Sequence, residues 1–153
     1  MIIKILLLII SISLFLNISI GIDENQIWKS CGTPQDIFHI NSIVVKPTPP
    51  VKGKLVKVNV NGTFIKDVVA GEAKIIAKYN NIMTLYNETN DLCSPTAQAI
   101  IGNCPFKKGP TYLHSANFTI PASAPNGYYS GNILLTDNFN NTITCINVAF
   151  NLQ

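Results

Sequence analysis

The sequence contains no arginine: its 11 basic residues are all lysines, set against 8 acids. Only 12% of the 153 residues are charged, too few and too evenly balanced for a nucleic-acid-binding surface or a strongly anionic-surface protein. A hydrophobic content of 47% likewise excludes a disordered chain. Catalytic patterns are missing as well. His39 and His114 fall in predicted strands, and neither belongs to an H-E-x-x-H pattern or has a nucleophile motif such as G-x-S-x-G beside it. There is no glycine-rich phosphate loop. Glu88 and Asp91 lie close in sequence, but acid–base work needs two carboxylates placed across a cleft. An enzyme is the class least supported, and no cofactor or metal is called for.

What is present begins with an uneven distribution of apolar residues. Met1 to Gly21 carries one early charge at Lys4, an apolar run from Ile5 to Leu16, and small residues at Ser19 and Gly21. This is the layout of a secretory leader, with cleavage expected after Gly21. The alternative, a membrane anchor, needs roughly 20 apolar residues, and Ser11, Ser13, Asn17 and Ser19 interrupt the run. Residues 22–153 then form a single expected domain with ten lysines against eight acids.

Four cysteines remain in that domain: Cys31, Cys93, Cys104 and Cys145. Behind a leader, an even count without C-x-x-C spacing reads as disulfides rather than a metal site. Of three possible pairings, the expected ones are Cys93 with Cys104, closing a short loop, and Cys31 with Cys145, tying the domain's ends. The same compartment gives meaning to four Asn-x-Thr sequons at Asn61, Asn87, Asn117 and Asn140, each expected to face water as a glycosylation acceptor.

No window holds a helical apolar period, whereas short β-rich runs recur between turn residues. The expected strands are 38–46, 54–64, 73–79, 82–86, 111–120, 128–136 and 142–152. In the second, Val56, Val58 and Val60 take one face while Lys57, Asn59 and Asn61 take the other. In the fifth, Phe118 and Ile120 oppose Asn117 and Thr119, so both sequons fall on polar faces. Residues 88–110 break the rhythm and read as a disulfide-pinned loop with one short helical turn. Seven strands with turns every 8 to 12 residues predict an all-β sandwich.

Several segments, taken in order, carry a resemblance. They are Pro47 to Gly53 before the alternating strand, Val68 to Glu72 before residues 73–79, and Asp91-Leu92-Cys93. Cys104-Pro105 with Tyr112, Pro125 to Tyr128, and the run ending at Asp137 before Thr144-Cys145 complete the set. Together they resemble the ML lipid-recognition domain over residues 28–151. Within that family the chain is most similar to secreted phosphatidylglycerol/phosphatidylinositol transfer proteins, and next to the lysosomal cholesterol-transfer protein of Niemann-Pick type C disease. One departure is that residues 48–52 lack the disulfide that the cholesterol carrier has in this loop.

The resemblance implies an immunoglobulin-like β-sandwich whose two sheets part to hold a lipid. Its implied function is lipid transfer between membranes, with phosphatidylglycerol or phosphatidylinositol as cargo, or alternatively sterol in the endolysosomal lumen. The protein would be a secreted or lumenal monomer in transient contact with membrane. The residues expected to line the slot are Val58, Val60, Ile75, Tyr79, Leu85, Phe118, Ile120, Tyr128, Leu134, Ile146, Val148 and Phe150, with Ala124 at its rim. Lys107 and Lys108 would favour anionic headgroups at the mouth. A different class also fits these residues: a secreted immunoglobulin-like binding module with a filled core, because inward apolar residues line any sandwich.

Overall fold

A computed structural model describes residues 26–95, 97–98 and 102–153. The leader reading of Met1 to Gly21 lies outside the described residues. Eight strands follow in order: β1 (Trp28–Ser30), β2 (Phe38–Lys46), β3 (Leu55–Phe64), β4 (Gly71–Tyr79), β5 (Met83–Asp91), β6 (Gly109–Thr119), β7 (Gly127–Asp137) and β8 (Thr142–Leu152). The expected strands are all present, their ends within two residues, except that the fourth continues to Asp91. β1, only three residues long, was not foreseen. Glu88 and Asp91 therefore lie on a strand, not in the loop. A helical turn does open that loop, where the Gln98 N–H donates to the Ser94 carbonyl at 2.9 Å.

The strands form two antiparallel sheets, a five-stranded one in the order β1-β8-β7-β4-β5 and a three-stranded one in the order β2-β3-β6. Turn chemistry sets several of the connections. Asn80 and Asn81, both at positive φ, make the tight β4–β5 turn, and Asn140 does the same between β7 and β8. Gly62 has a different reason: a Cβ there would lie 2.3 Å from the Phe38 ring and 2.5 Å from the His39 carbonyl, so only glycine lets β2 and β3 close over each other.

The core is divided in two. One cluster, at the end bearing the β3–β4, β5–β6 and β7–β8 connections, joins Ile37, Phe38, Phe64, Val68, Ala73, Leu92, Phe106 and Ile143. The other, at the opposite end, is smaller: Val56, Ile120 and Leu152, with Ala124, Tyr129 and Phe150 packed on them. Both disulfides lie toward the first end, Cys93–Cys104 and Cys31–Cys145, as the cysteine parity anticipated. On the chain-entropy account they contribute about 3 and about 5 kcal/mol. At the same end Val68 and Phe106 exchange two backbone hydrogen bonds of 2.9 Å, pinning the long loop to the β3–β4 connection.

Candidate functional site: a furrow between the sheets

Between the two clusters, the inner positions of β4, β7 and β8 carry no polar side chain except the tyrosine hydroxyls and are only half-buried. Strand register shows how they are arranged. Tyr79, Tyr129 and Phe150 pair side by side across β4, β7 and β8 and make one wall, their rings 5.3 and 5.8 Å apart. Ile75, Ile133 and Ile146 make the other. The row between them runs from Tyr86 on β5 through Ala77, Gly131 and Val148 to Trp28 on β1. Its centre is thus floored by an alanine and a glycine, the smallest residues available, flanked by large ones. Facing sheets sit about 10 Å apart, and a filled sandwich would bury the centre of this row, Ala77, Gly131 and Val148. Here all of its members stay in partial contact with solvent.

The furrow's two edges differ. At β1 and β2 the Trp28 indole N–H donates to the Ile43 carbonyl at 3.2 Å and ties one sheet to the other. Concavities of about 480 and 370 Å³ flank this strut, one lined by Ile27, Ile43 and Val45, the other by Phe38, Ile40 and Thr144. At the far edge β5 is exposed along its whole length, including Met83, Leu85 and Tyr86. Phe118, which pairs with Val56 and so belongs to the inner face of β6, is 46% exposed.

The expected lining residues separate into groups. Val58, Val60, Ile75, Tyr79, Ile146, Val148 and Phe150 all face the opposite sheet. Phe118 stands at the open edge, and Leu85 is the extra residue of a bulge in β5. Ile120 and Ala124 belong to the small end cluster rather than to the furrow. Tyr128 and Leu134 are corrected: they pair with Asn151 and Cys145 on the outer face, and Tyr129 and Leu135 take the inward places. The sequence of β7 is apolar on both faces at these points, so alternation alone cannot choose between them. Trp28, Ala77, Gly131 and Ile133 were missed: Ala77 and Gly131 because small residues carry no hydrophobic signal, Trp28 because β1 is too short to show alternation, and Ile133 because β7 is apolar on both faces.

Charged groups also fall differently from expectation. The Lys108 backbone N–H donates to the Asp67 carboxylate and Lys107 pairs with it at 3.0 Å, and these two contacts, in that order, hold its pKa below the ordinary value. They brace the far end of the sandwich instead of an open mouth. Of the sequon asparagines, Asn87, Asn117 and Asn140 are exposed and Asn61 is half-buried on the outer face of β3. The Tyr129 hydroxyl, which donates to the Pro125 carbonyl at 2.9 Å, has its pKa raised by burial and then by neighbouring Tyr79.

Two antiparallel sheets with a half-buried apolar furrow between two core clusters define a β-sandwich. Its sequence relationships agree: the ML-domain family profile matches residues 25–152, and the chain belongs to that family. A Dictyostelium discoideum protein named as a candidate phosphatidylglycerol/phosphatidylinositol transfer protein 2 is 39% identical over 127 residues, covering 83% of this chain and 86% of the relative. The Emericella nidulans phosphatidylglycerol/phosphatidylinositol transfer protein is 30% identical over 124 residues, with 80% and 72% covered. The fold is shared with a Niemann-Pick type C2 protein from the Japanese carpenter ant (TM-score 0.62, 16% identity, 82% of this chain and 98% of that one). Chicken MD-1 complexed with lipid IVa shares it too (TM-score 0.58, 22% identity, 81% and 87%).

Proposed function

We propose that this protein carries a phospholipid, phosphatidylglycerol or phosphatidylinositol, with its acyl chains in the furrow between the sheets, and moves it between membranes. The observation that carries the reading is the inner row Ala77–Gly131–Val148, floored by small residues and walled by aromatic and isoleucine side chains. The names of the relatives at 39% and 30% identity support the choice of cargo.

The energetics are those of partition. At about 0.8 kcal/mol per CH₂, bringing a 16-carbon chain from a bilayer into water costs on the order of 12 kcal/mol, so unaided desorption is slow. An apolar furrow offers the chain a second environment like the one it leaves, and exchange becomes nearly thermoneutral without a cofactor or a chemical step. Residues 75, 79, 146, 148 and 150 then act as lining, and the exposed β5 edge as the place of entry.

Membrane contact is assigned to the end that bears the β2–β3 and β4–β5 connections. Val51, Leu55, Ile82 and Met83 are exposed there, Ile82 at 88%, among Lys46, Lys52, Lys54 and Lys78. Apolar side chains ringed by lysines suit an anionic bilayer surface. The disulfides support an extracellular or lumenal setting, entered by way of the leader at residues 1–21. The reading is tested by organic extraction of the purified protein with mass spectrometry, followed by transfer of fluorescent phosphatidylinositol between vesicles. Stoichiometric lipid and transfer above a buffer control are expected; their joint absence would leave a secreted binding module in its place.

A further inference from the structure

The inner face of the five-stranded sheet changes character at its last strand. On β4, β7 and β8 the furrow's inner positions are apolar, but on β5 three successive ones are Tyr86, Glu88 and Asn90, paired with Ala77, Ile75 and Ala73. They are hydrogen-bonded in one direction. Asn90 Nδ2 donates to Tyr86 Oη at 3.3 Å, and Tyr86 Oη donates to Glu88 Oε2 at 2.9 Å. The chain ends on a carboxylate that forms no ion pair among the described residues. Glu88 is also the one acid on the furrow-facing side of β5, since Asp91 pairs with Glu72 on the outer face.

We infer that Tyr86, Glu88 and Asn90 form a headgroup site that accepts the hydroxyls of a polyol-bearing lipid at the open edge of the furrow. The inference rests on the phospholipid reading above and adds what selects the cargo. A carboxylate offers about four lone-pair sites and Tyr86 occupies one, so the site calls for hydrogen-bond donors. Glycerol and inositol headgroups supply them. A choline headgroup has no N–H or O–H to give, and a bare phosphate is repelled. Acceptors on Glu88 and Asn90, two residues apart, are spread over about 7 Å of strand. That spread matches a group with several hydroxyls better than an ammonium, which is a single point of charge.

The purified protein would be incubated with phosphatidylcholine vesicles containing equal amounts of phosphatidylinositol, phosphatidylglycerol, phosphatidylethanolamine and phosphatidic acid with identical chains, then re-isolated and its lipid identified by mass spectrometry. Inositol and glycerol lipids are expected to be enriched over phosphatidic acid by roughly tenfold, the scale of one charge-assisted hydrogen bond. Glu88→Gln should lose that enrichment while carrying the same total lipid, and Thr84→Ala, on the outer face of the same strand, should retain it. The site is overturned if Glu88→Gln keeps the preference, if the wild type carries lipids in vesicle proportions, or if phosphatidylethanolamine is the enriched species. No lipid in any of the proteins would overturn the phospholipid reading as well, and so is told apart from a failure of selectivity alone.

Discussion

The two ends of this sandwich are built on different principles. At the end with the β7–β8 turn, every device that fixes a chain is present: the larger apolar cluster, both disulfides, and two ion pairs. Asp137 is its polar centre. Its carboxylate accepts from the Phe139 and Asn141 backbone N–H groups, from the Asn141 side chain, and from Lys66 at 3.0 Å. Burial alone would raise its pKa, but the Asn141 and Lys66 side chains and the backbone donors outweigh that and bring it from 3.8 to about 2. At the β4–β5 end there are three buried core residues, no disulfide, and lysines without a carboxylate partner among the described residues. The contrast suits a container: one end holds the sheets together so that the other and the β5 edge can stay open.

Breaking the closed end should have the largest effect. Replacing Cys31 and Cys145 together by alanine removes the closure between positions 114 residues apart and should cost about 2 to 5 kcal/mol, read as a fall in Tm. An unchanged Tm would show that the cross-link does not govern stability.

Asp137→Ala comes next, expected to cost about 2 to 3 kcal/mol, because two backbone donors and Lys66 lose a charged acceptor. It also predicts a pH dependence. A carboxylate whose native pKa lies below its unfolded value adds stability above about pH 3.8, and that stability is lost as the pH falls toward 2. Denaturation followed from pH 5 to pH 2 should therefore steepen in the wild type, and the variant should show a shallower slope over that window.

Smaller effects on stability are expected in the furrow, where the consequence is functional. Ala77→Trp places a large side chain over the floor of the row. In a filled core such overpacking costs roughly 1 to 3 kcal/mol; here the cost should stay below that range while bound lipid is lost. A melt depressed by several degrees with lipid retained would mean that the row is packed and that the cargo lies elsewhere. The least change in stability is expected at the open end. Lys46→Ala, Lys54→Ala and Lys78→Ala combined should leave the melt within about 0.5 kcal/mol of wild type. Binding to anionic vesicles should weaken, and with it the salt dependence of that binding. Equal binding by the two proteins would place membrane contact on another surface.

How much of this was legible beforehand can be judged strand by strand. β3 announced its inward face because valine alternates with lysine and asparagine, and the Asn80-Asn81 and Asn138 to Asn141 turns were marked by residues that tolerate positive φ. β7 offered tyrosine and leucine on both faces. There the register with Tyr79 and Phe150, not the pattern, sends Tyr129 inward and Tyr128 outward. β5 extended past its apolar start because backbone pairing with β4 continues to Asp91 regardless of side chains.

The amino-acid sequence by itself determined the all-β character, the turns, the two disulfides and the membership of a family, since each depends on local chemistry or on residues that announce themselves singly. Tertiary structure alone decided where the volume is missing. A furrow is made when Ala77 and Gly131, far apart along the chain, are brought side by side by the β4–β7 pairing. The same assembly sets Trp28 across one edge and leaves Glu88 at the other. Empty space has no residue of its own, and its position follows only from which neighbours the sheets bring together.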